Sequence, residues 1–92
     1  GRIVWRRHAL ERMLQRGISR QDVRNTLSTG EQIRQYADDR PFPSALFCAT
    51  IKGRALHVVA AVDEDQNEVH VITAYEPDRH HFDLDNKTRR SR

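Results

Sequence analysis

Two histidines, a tyrosine and a row of arginines are the side chains here that could move a proton or hold a phosphate. His57 interrupts the most apolar stretch of the chain, Ala55-Leu56-His57-Val58-Val59-Ala60-Ala61-Val62. A polar ring there needs a partner. It is either a histidine satisfied within a core or a general base or acid at the mouth of a sheet face. Tyr75, just before Glu76-Pro77, has a phenol that can donate a proton or close the core. If residue 57 pairs with 75 or with 73, His57, Thr73 and Tyr75 cluster; a slip of one residue puts Ala74 beside the imidazole instead. His8, Arg12 and Arg16 stand at i, i+4 and i+8, so on a helix they form one polar stripe of a titratable ring and two permanent cations. That spacing suits consecutive phosphates, although a solvated face pairing with Glu11 and Gln15 would read the same.

Charge distribution points the same way. Residues 1–24 carry seven Arg against Glu11 and Asp22, residues 25–76 carry four bases against eight acids, and residues 77–92 carry five bases against three. The ends are basic and the middle is acidic. Fourteen of the sixteen bases are Arg, whose planar fork matches phosphate in two-point hydrogen bonds where Lys offers a point charge. An Arg-rich solvated surface is the competing reading of the same composition.

Other chemistries find little support. His80-His81-Phe82-Asp83-Leu84-Asp85 is rich in donors but matches no metal-ligand spacing of known geometry. No glycine-rich phosphate loop or nucleophile elbow occurs, and neither a metal nor a cofactor is expected. The lone Cys48 lies in an apolar stretch and reads as a buried structural thiol in a reducing compartment. No apolar run approaches the roughly 18 residues a membrane span needs, and no leader pattern opens the chain. A cytoplasmic protein with no membrane partner is the expectation.

The elements that must position these groups follow from periodicity. With 92 residues, 37% hydrophobic and 32% charged, the chain reads as one domain, 1–92, with a thin core. Ile3-Val4-Trp5 is a β-prone opening. Ala9, Leu10, Met13 and Leu14 give one face of a helix from Arg7 to Arg16, ended by Gly17. Ser19 reads as the N-cap of a second helix, Arg20 to Ser28, with Asp22 in its first turn and Gly30 as its stop. The period then changes to two: an edge strand Glu31 to Tyr36, a loop stiffened by Pro41 and Pro43, then strands Ser44 to Ile51, Ala55 to Val62 and Glu68 to Tyr75. Phe82 and Leu84 anchor a docked segment, and a loose basic tail begins near residue 86. The expected fold is α+β, an N-terminal helical hairpin on one face of a three- to four-stranded antiparallel sheet whose other face stays at least partly open.

His8-Ala9-Leu10-Glu11-Arg12-Met13, Arg16-Gly17-Ile18-Ser19, Leu56-His57-Val58-Val59 and Ile72-Thr73-Ala74-Tyr75-Glu76-Pro77 occur in that order. With the Arg40-Pro41-Phe42-Pro43 loop and the closing Thr88-Arg89-Arg90, the sequence resembles the small prokaryotic proteins of the domain of unknown function 4258 family, from about residue 3 to residue 90. Arg6 departs from the Ser or Thr expected two positions before the histidine. The resemblance implies a RelE-like fold, a compact α+β toxin of a type II toxin–antitoxin system that cleaves messenger RNA, and an antitoxin partner, for some members of zinc-finger type. It also implies that His8, Arg12, Arg16, His57, Thr73 and Tyr75 occupy motif positions.

RNA cleavage without a metal needs a base for the 2′-OH, cations for the phosphorane charge and a proton for the leaving 5′-oxygen. On sequence grounds His57 is the base or acid, Tyr75 the orienting or proton-donating group and His8 the second titratable ring. Arg12, Arg16 and Thr73 would hold phosphate, with Arg89 and Arg90 of the tail adding contacts. The alternative is a module that binds RNA or the ribosome without chemistry.

Overall fold

The computed structural model describes residues 2–77. Its elements are β1 (Arg2–Trp5), α1 (Arg7–Arg16), α2 (Arg20–Thr29), β2 (Glu31–Tyr36), β3 (Ser44–Ile51), β4 (Arg54–Asp63) and β5 (Glu68–Tyr75). The segment from Asp78, including Phe82, Leu84, the His80–Asp85 run, Arg89 and Arg90, lies outside the described residues.

Local chemistry explains the helix ends. Arg6 caps α1 with no side-chain hydrogen bond, so that start rests on tertiary packing. At the other end Gly17 adopts φ 67°, which suits a residue lacking Cβ. Its N–H donates to Leu14 O, and Ile18 N–H donates to Met13 O at 2.9 Å, closing a Schellman turn. Ser19 and Asp22 form a capping box: Asp22 N–H donates to Ser19 Oγ at 3.0 Å and Ser19 N–H to Asp22 Oδ2 at 3.2 Å. Gly30 ends α2 where the helix meets β3, and a Cβ there would collide with Thr26 O and lie 2.9 Å from Cys48 O.

One mixed sheet holds the strands in the order β1-β5-β4-β3-β2. This corrects the expected three- to four-stranded antiparallel sheet: there are five strands, and β1 joins parallel to β5, pairing Arg2 with Glu68 through Trp5 with Val71. The four-residue opening has too short a pattern to announce a partner more than sixty positions away. Both helices pack on one face. Ala9, Met13, Ile18 and Val23 meet Leu56, Val58, Val71 and Ala74 there, with Trp5 and Leu27 at the margin. Val23, Val58 and Val71 are fully buried, each stabilising the fold by roughly 1.5–3 kcal/mol relative to exposure.

Register is set across β4 and β5 by His57 opposite Tyr75, Val58 opposite Ala74 and Val59 opposite Thr73; a bulge then puts Ala60 opposite Val71. Ile72 is the extra residue, and it is 40% exposed. The bulge lets both Val71 and Ala74 face the helices although three positions separate them.

Replacing Gly30 by Ala forces the α2–β3 corner apart and is expected to cost about 1–3 kcal/mol, while Ser19→Ala removes the capping box at about 1 kcal/mol. Urea unfolding of both variants measures this; a Gly30→Ala midpoint at or above that of the parent would contradict the close approach.

Candidate functional site

Strand pairing builds a polar rank on the sheet face away from the helices. Glu31 is opposite Cys48, Cys48 opposite His57, and His57 opposite Tyr75. Residues paired directly across a ladder share a face, so a carboxylate, a thiol, an imidazole and a phenol stand side by side over four strands. The His57 and Tyr75 rings meet edge to face, centroids 5.4 Å apart. This is the register that clusters them, with Thr73 one pair further along the same face.

The expected open face is closed in its middle. Leu46, Cys48 and His57 are 2%, 6% and 0% exposed. His57 therefore meets no substrate directly in this state, and Tyr75, half-buried, is the member of the pair at the surface. The buried thiol expected of Cys48 is observed.

Accessible chemistry lies at the outer edge of β5. β1 covers that edge only as far as Val71, and α1 takes over beyond it. Arg16 Nη1 donates to Ala74 O at 2.9 Å and reaches Thr73 Oγ1 at 3.5 Å. Among the described residues, Arg16, Tyr75 and Glu76 line a cleft of about 490 Å³ at this point. Glu76 is held by Arg54, whose Nε lies 3.0 Å from its Oε1, and the same guanidinium donates to Gly17 O at 3.2 Å. A cation, a phenol and a carboxylate thus share one opening.

His8 is placed elsewhere. It lines a second cleft of about 290 Å³ with Arg6, Arg40, Phe42 and Ile72. The stripe of His8, Arg12 and Arg16 is therefore divided between two clefts, with Arg12 exposed on the helix between them. Glu76, Arg54, Arg6 and Arg40 were not singled out from the sequence. Glu76 adjoins Tyr75 and Arg40 opens the Arg40-Pro41-Phe42-Pro43 loop in the motifs quoted above, which is the signal each offers; Arg6 and Arg54 are brought in by a loop and a strand end.

One group of described residues has the donor types for a metal ion: Asp63, Glu68 and His70, with donor atoms all within 4.8 Å. Protein partners already engage two of the three residues. Arg2 bonds Glu68, Gln66 N–H donates to Asp63 Oδ1 at 3.2 Å, and His70 Nε2 lies 3.3 Å from Glu68 Oε1 outside hydrogen-bonding alignment. Arg2 is the main cause holding the Glu68 carboxyl below its ordinary value of 4.5, against the opposing effect of desolvation.

Similarity to known proteins was found at the family level. The chain matches the family described as "Domain of unknown function (DUF4258)" over residues 5–76. No curated protein shows significant similarity to it. No solved structure does either. Among the described residues no helix is long and apolar enough to cross a membrane.

Because the folded state lowers the Glu68 pKa, its contribution to stability is full above the ordinary carboxylate value and is lost as pH falls through the lowered one. Arg2→Gln should flatten this acid limb, read as the urea midpoint against pH; an unchanged limb would remove Arg2 as its cause.

Proposed function

The chain belongs to the DUF4258 family, whose description names no activity, and we propose that it is a RelE-like toxin, a metal-independent endoribonuclease that cleaves messenger RNA by 2′-OH attack. The observation that carries this reading is the cleft where Arg16, Tyr75 and Glu76 converge. Internal cleavage needs a base, a cation and an acid around one phosphodiester, and this opening offers one of each.

In this reading the Glu76 carboxylate, held in place by Arg54, accepts the 2′-OH proton. The free N–H groups of Arg16 stabilise the phosphorane charge while its Nη1 stays anchored to Ala74 O. Tyr75 gives its proton to the departing 5′-oxygen. The product is a 2′,3′-cyclic phosphate and a new 5′-hydroxyl, so atoms balance without water or metal in the first step. His57, buried behind Tyr75, acts by positioning the phenol. Arg12, one turn back along α1, supplies a contact to the next phosphate, and Arg89 and Arg90 extend the basic track.

Two placements favour the alternative of a binding module without chemistry. His57 is fully buried, and Arg16 already serves a backbone carbonyl. In that reading the same cations hold RNA or a ribosome surface. A toxin of this kind would be held in check by an antitoxin protein, of zinc-finger type in the resemblance, and the stretch of β5 beyond β1 would take an added strand once Arg16 released Ala74 O.

The test is incubation with a long unstructured RNA in EDTA, and in a translating extract, with mapping of new ends. Cleavage leaving cyclic phosphate is expected. Tyr75→Phe and Glu76→Gln should each lower kcat by about 10²–10⁴ with little change in RNA affinity, and Arg16→Gln by about 10²–10³. Salt-sensitive binding with no new ends under either condition would overturn the reaction and leave the binding module.

A further inference from the structure

The second cleft has a chemistry of its own. It lies between the loop before β3 and the corner where β1 turns into α1. Arg6, His8 and Arg40 bring basic groups to it, while Phe42 and Ile72 supply an aromatic and an aliphatic wall. Arg6 and Arg40 are exposed and enter no ion pair among the described residues. Among the described residues Asp39 is the one acid on its lining, and its Oδ2 accepts the Ser44 hydroxyl. The Phe42 ring contacts the His70 ring, centroids 5.5 Å apart and tilted 41°.

An aromatic wall beside unpaired cations suits a ligand that is flat and apolar at one end and anionic at the other. A nucleotide is such a ligand: every base has a face that stacks on an aromatic ring, and its phosphate matches guanidinium. A volume of about 290 Å³ is at the lower end of ligand sites, enough for one nucleotide and too small for a dinucleotide cofactor. Ile72 and Tyr75 are three positions apart on β5, about 10 Å at the usual strand rise. The two clefts therefore follow one another along the stretch of β5 that β1 does not pair.

We propose that the cleft formed by Arg6, His8, Arg40, Phe42 and Ile72 is a nucleotide subsite. It stacks the base of a nucleotide flanking the cleaved bond on Phe42 and holds its phosphate with Arg40 and Arg6. This rests on the reading of the Arg16–Tyr75–Glu76 cleft as the place of cleavage, and it assigns the substrate's second anchor. His8 then serves phosphate binding, away from the proton transfers.

Binding is measured first with a fluorescein-labelled 2′-O-methyl RNA, which cannot be cleaved, so affinity is read apart from reaction. Phe42→Ala should weaken binding about tenfold or more and Phe42→Trp should retain it. Arg40→Gln, a change at an exposed side chain, should weaken binding and lower the slope of log affinity against log salt by about one. Affinities of Phe42→Ala and Arg40→Gln equal to the parent's would overturn the subsite, as would equal binding of an acidic peptide. Cleavage separates the two readings. Activity with unchanged KM in both variants removes the subsite and keeps the reaction; RNA binding that depends on Phe42 and Arg40 with no cleavage keeps the subsite and removes the reaction. A parent that binds no RNA removes the subsite, and it removes the reaction too if no new ends form in the translating extract.

Discussion

β1 ends at Trp5 because the chain must turn there to begin α1, and that stop determines what the far half of β5 can do. Parallel pairing covers the outer edge from Glu68 to Val71 and no further. Residues 72–75 would otherwise be left as a bare strand edge, a surface that natural sheets cover or charge. Here Arg16 does both, bonding Ala74 O while placing a permanent cation at the rim. The edge is thus protected by a group that carries a permanent positive charge.

The bulge gives this stretch its second property. Without it, Ala60 would oppose Ile72 and the apolar residue would compete with Val71 for the helix face. With it, Val71 and Ala74 stay in the core and Ile72 is pushed to the surface beside the Phe42 loop. One extra residue in β5 therefore separates two openings of different character. One has a phenol and a carboxylate beside its cation; the other is walled by Phe42 and Ile72.

Much of this was legible in the sequence, for identifiable reasons. The helix ends were marked by Gly17, Ser19 and Gly30, whose backbone roles are local, and strands β2 to β5 by their period of two. The pairing of His57 with Tyr75 was one of the registers under which the motif residues cluster. β1 was readable as β-prone but not as a parallel partner, since its pairing depends on where β5 arrives after two helices and three other strands. Alternation identifies which residues share the face away from the helices, not what packs over it, so the burial of Leu46 and Cys48 in the middle of that face is not legible in the sequence. The stripe of His8, Arg12 and Arg16 was sound as helix geometry, yet spacing along one helix could not foresee that β5 and the Phe42 loop would divide it.

Basic composition alone left phosphate binding and a solvated surface equally open, and tracing the guanidinium groups narrows that choice. Arg20 and Arg24 lie over the Trp5 ring, 5.8 and 5.6 Å from its centroid. Arg7 pairs with Glu11, Arg2 with Glu68, and Arg54 with Glu76. These five are accounted for by the fold. Exposed ion pairs contribute little to stability, about 0–1 kcal/mol each, but they do neutralise charge. Arg6, Arg12, Arg34 and Arg40 enter no ion pair among the described residues, and Arg16 bonds only neutral oxygens. Two of the latter five line the Phe42 cleft, one lines the Tyr75 cleft, Arg12 lies on the helix between them, and Arg34 stands on β2 at the opposite edge of the sheet. Four of the five are thus gathered along the outer edge of β5. Their placement is what an extended polyanion would meet, and it ties the basic excess of the sequence to that edge.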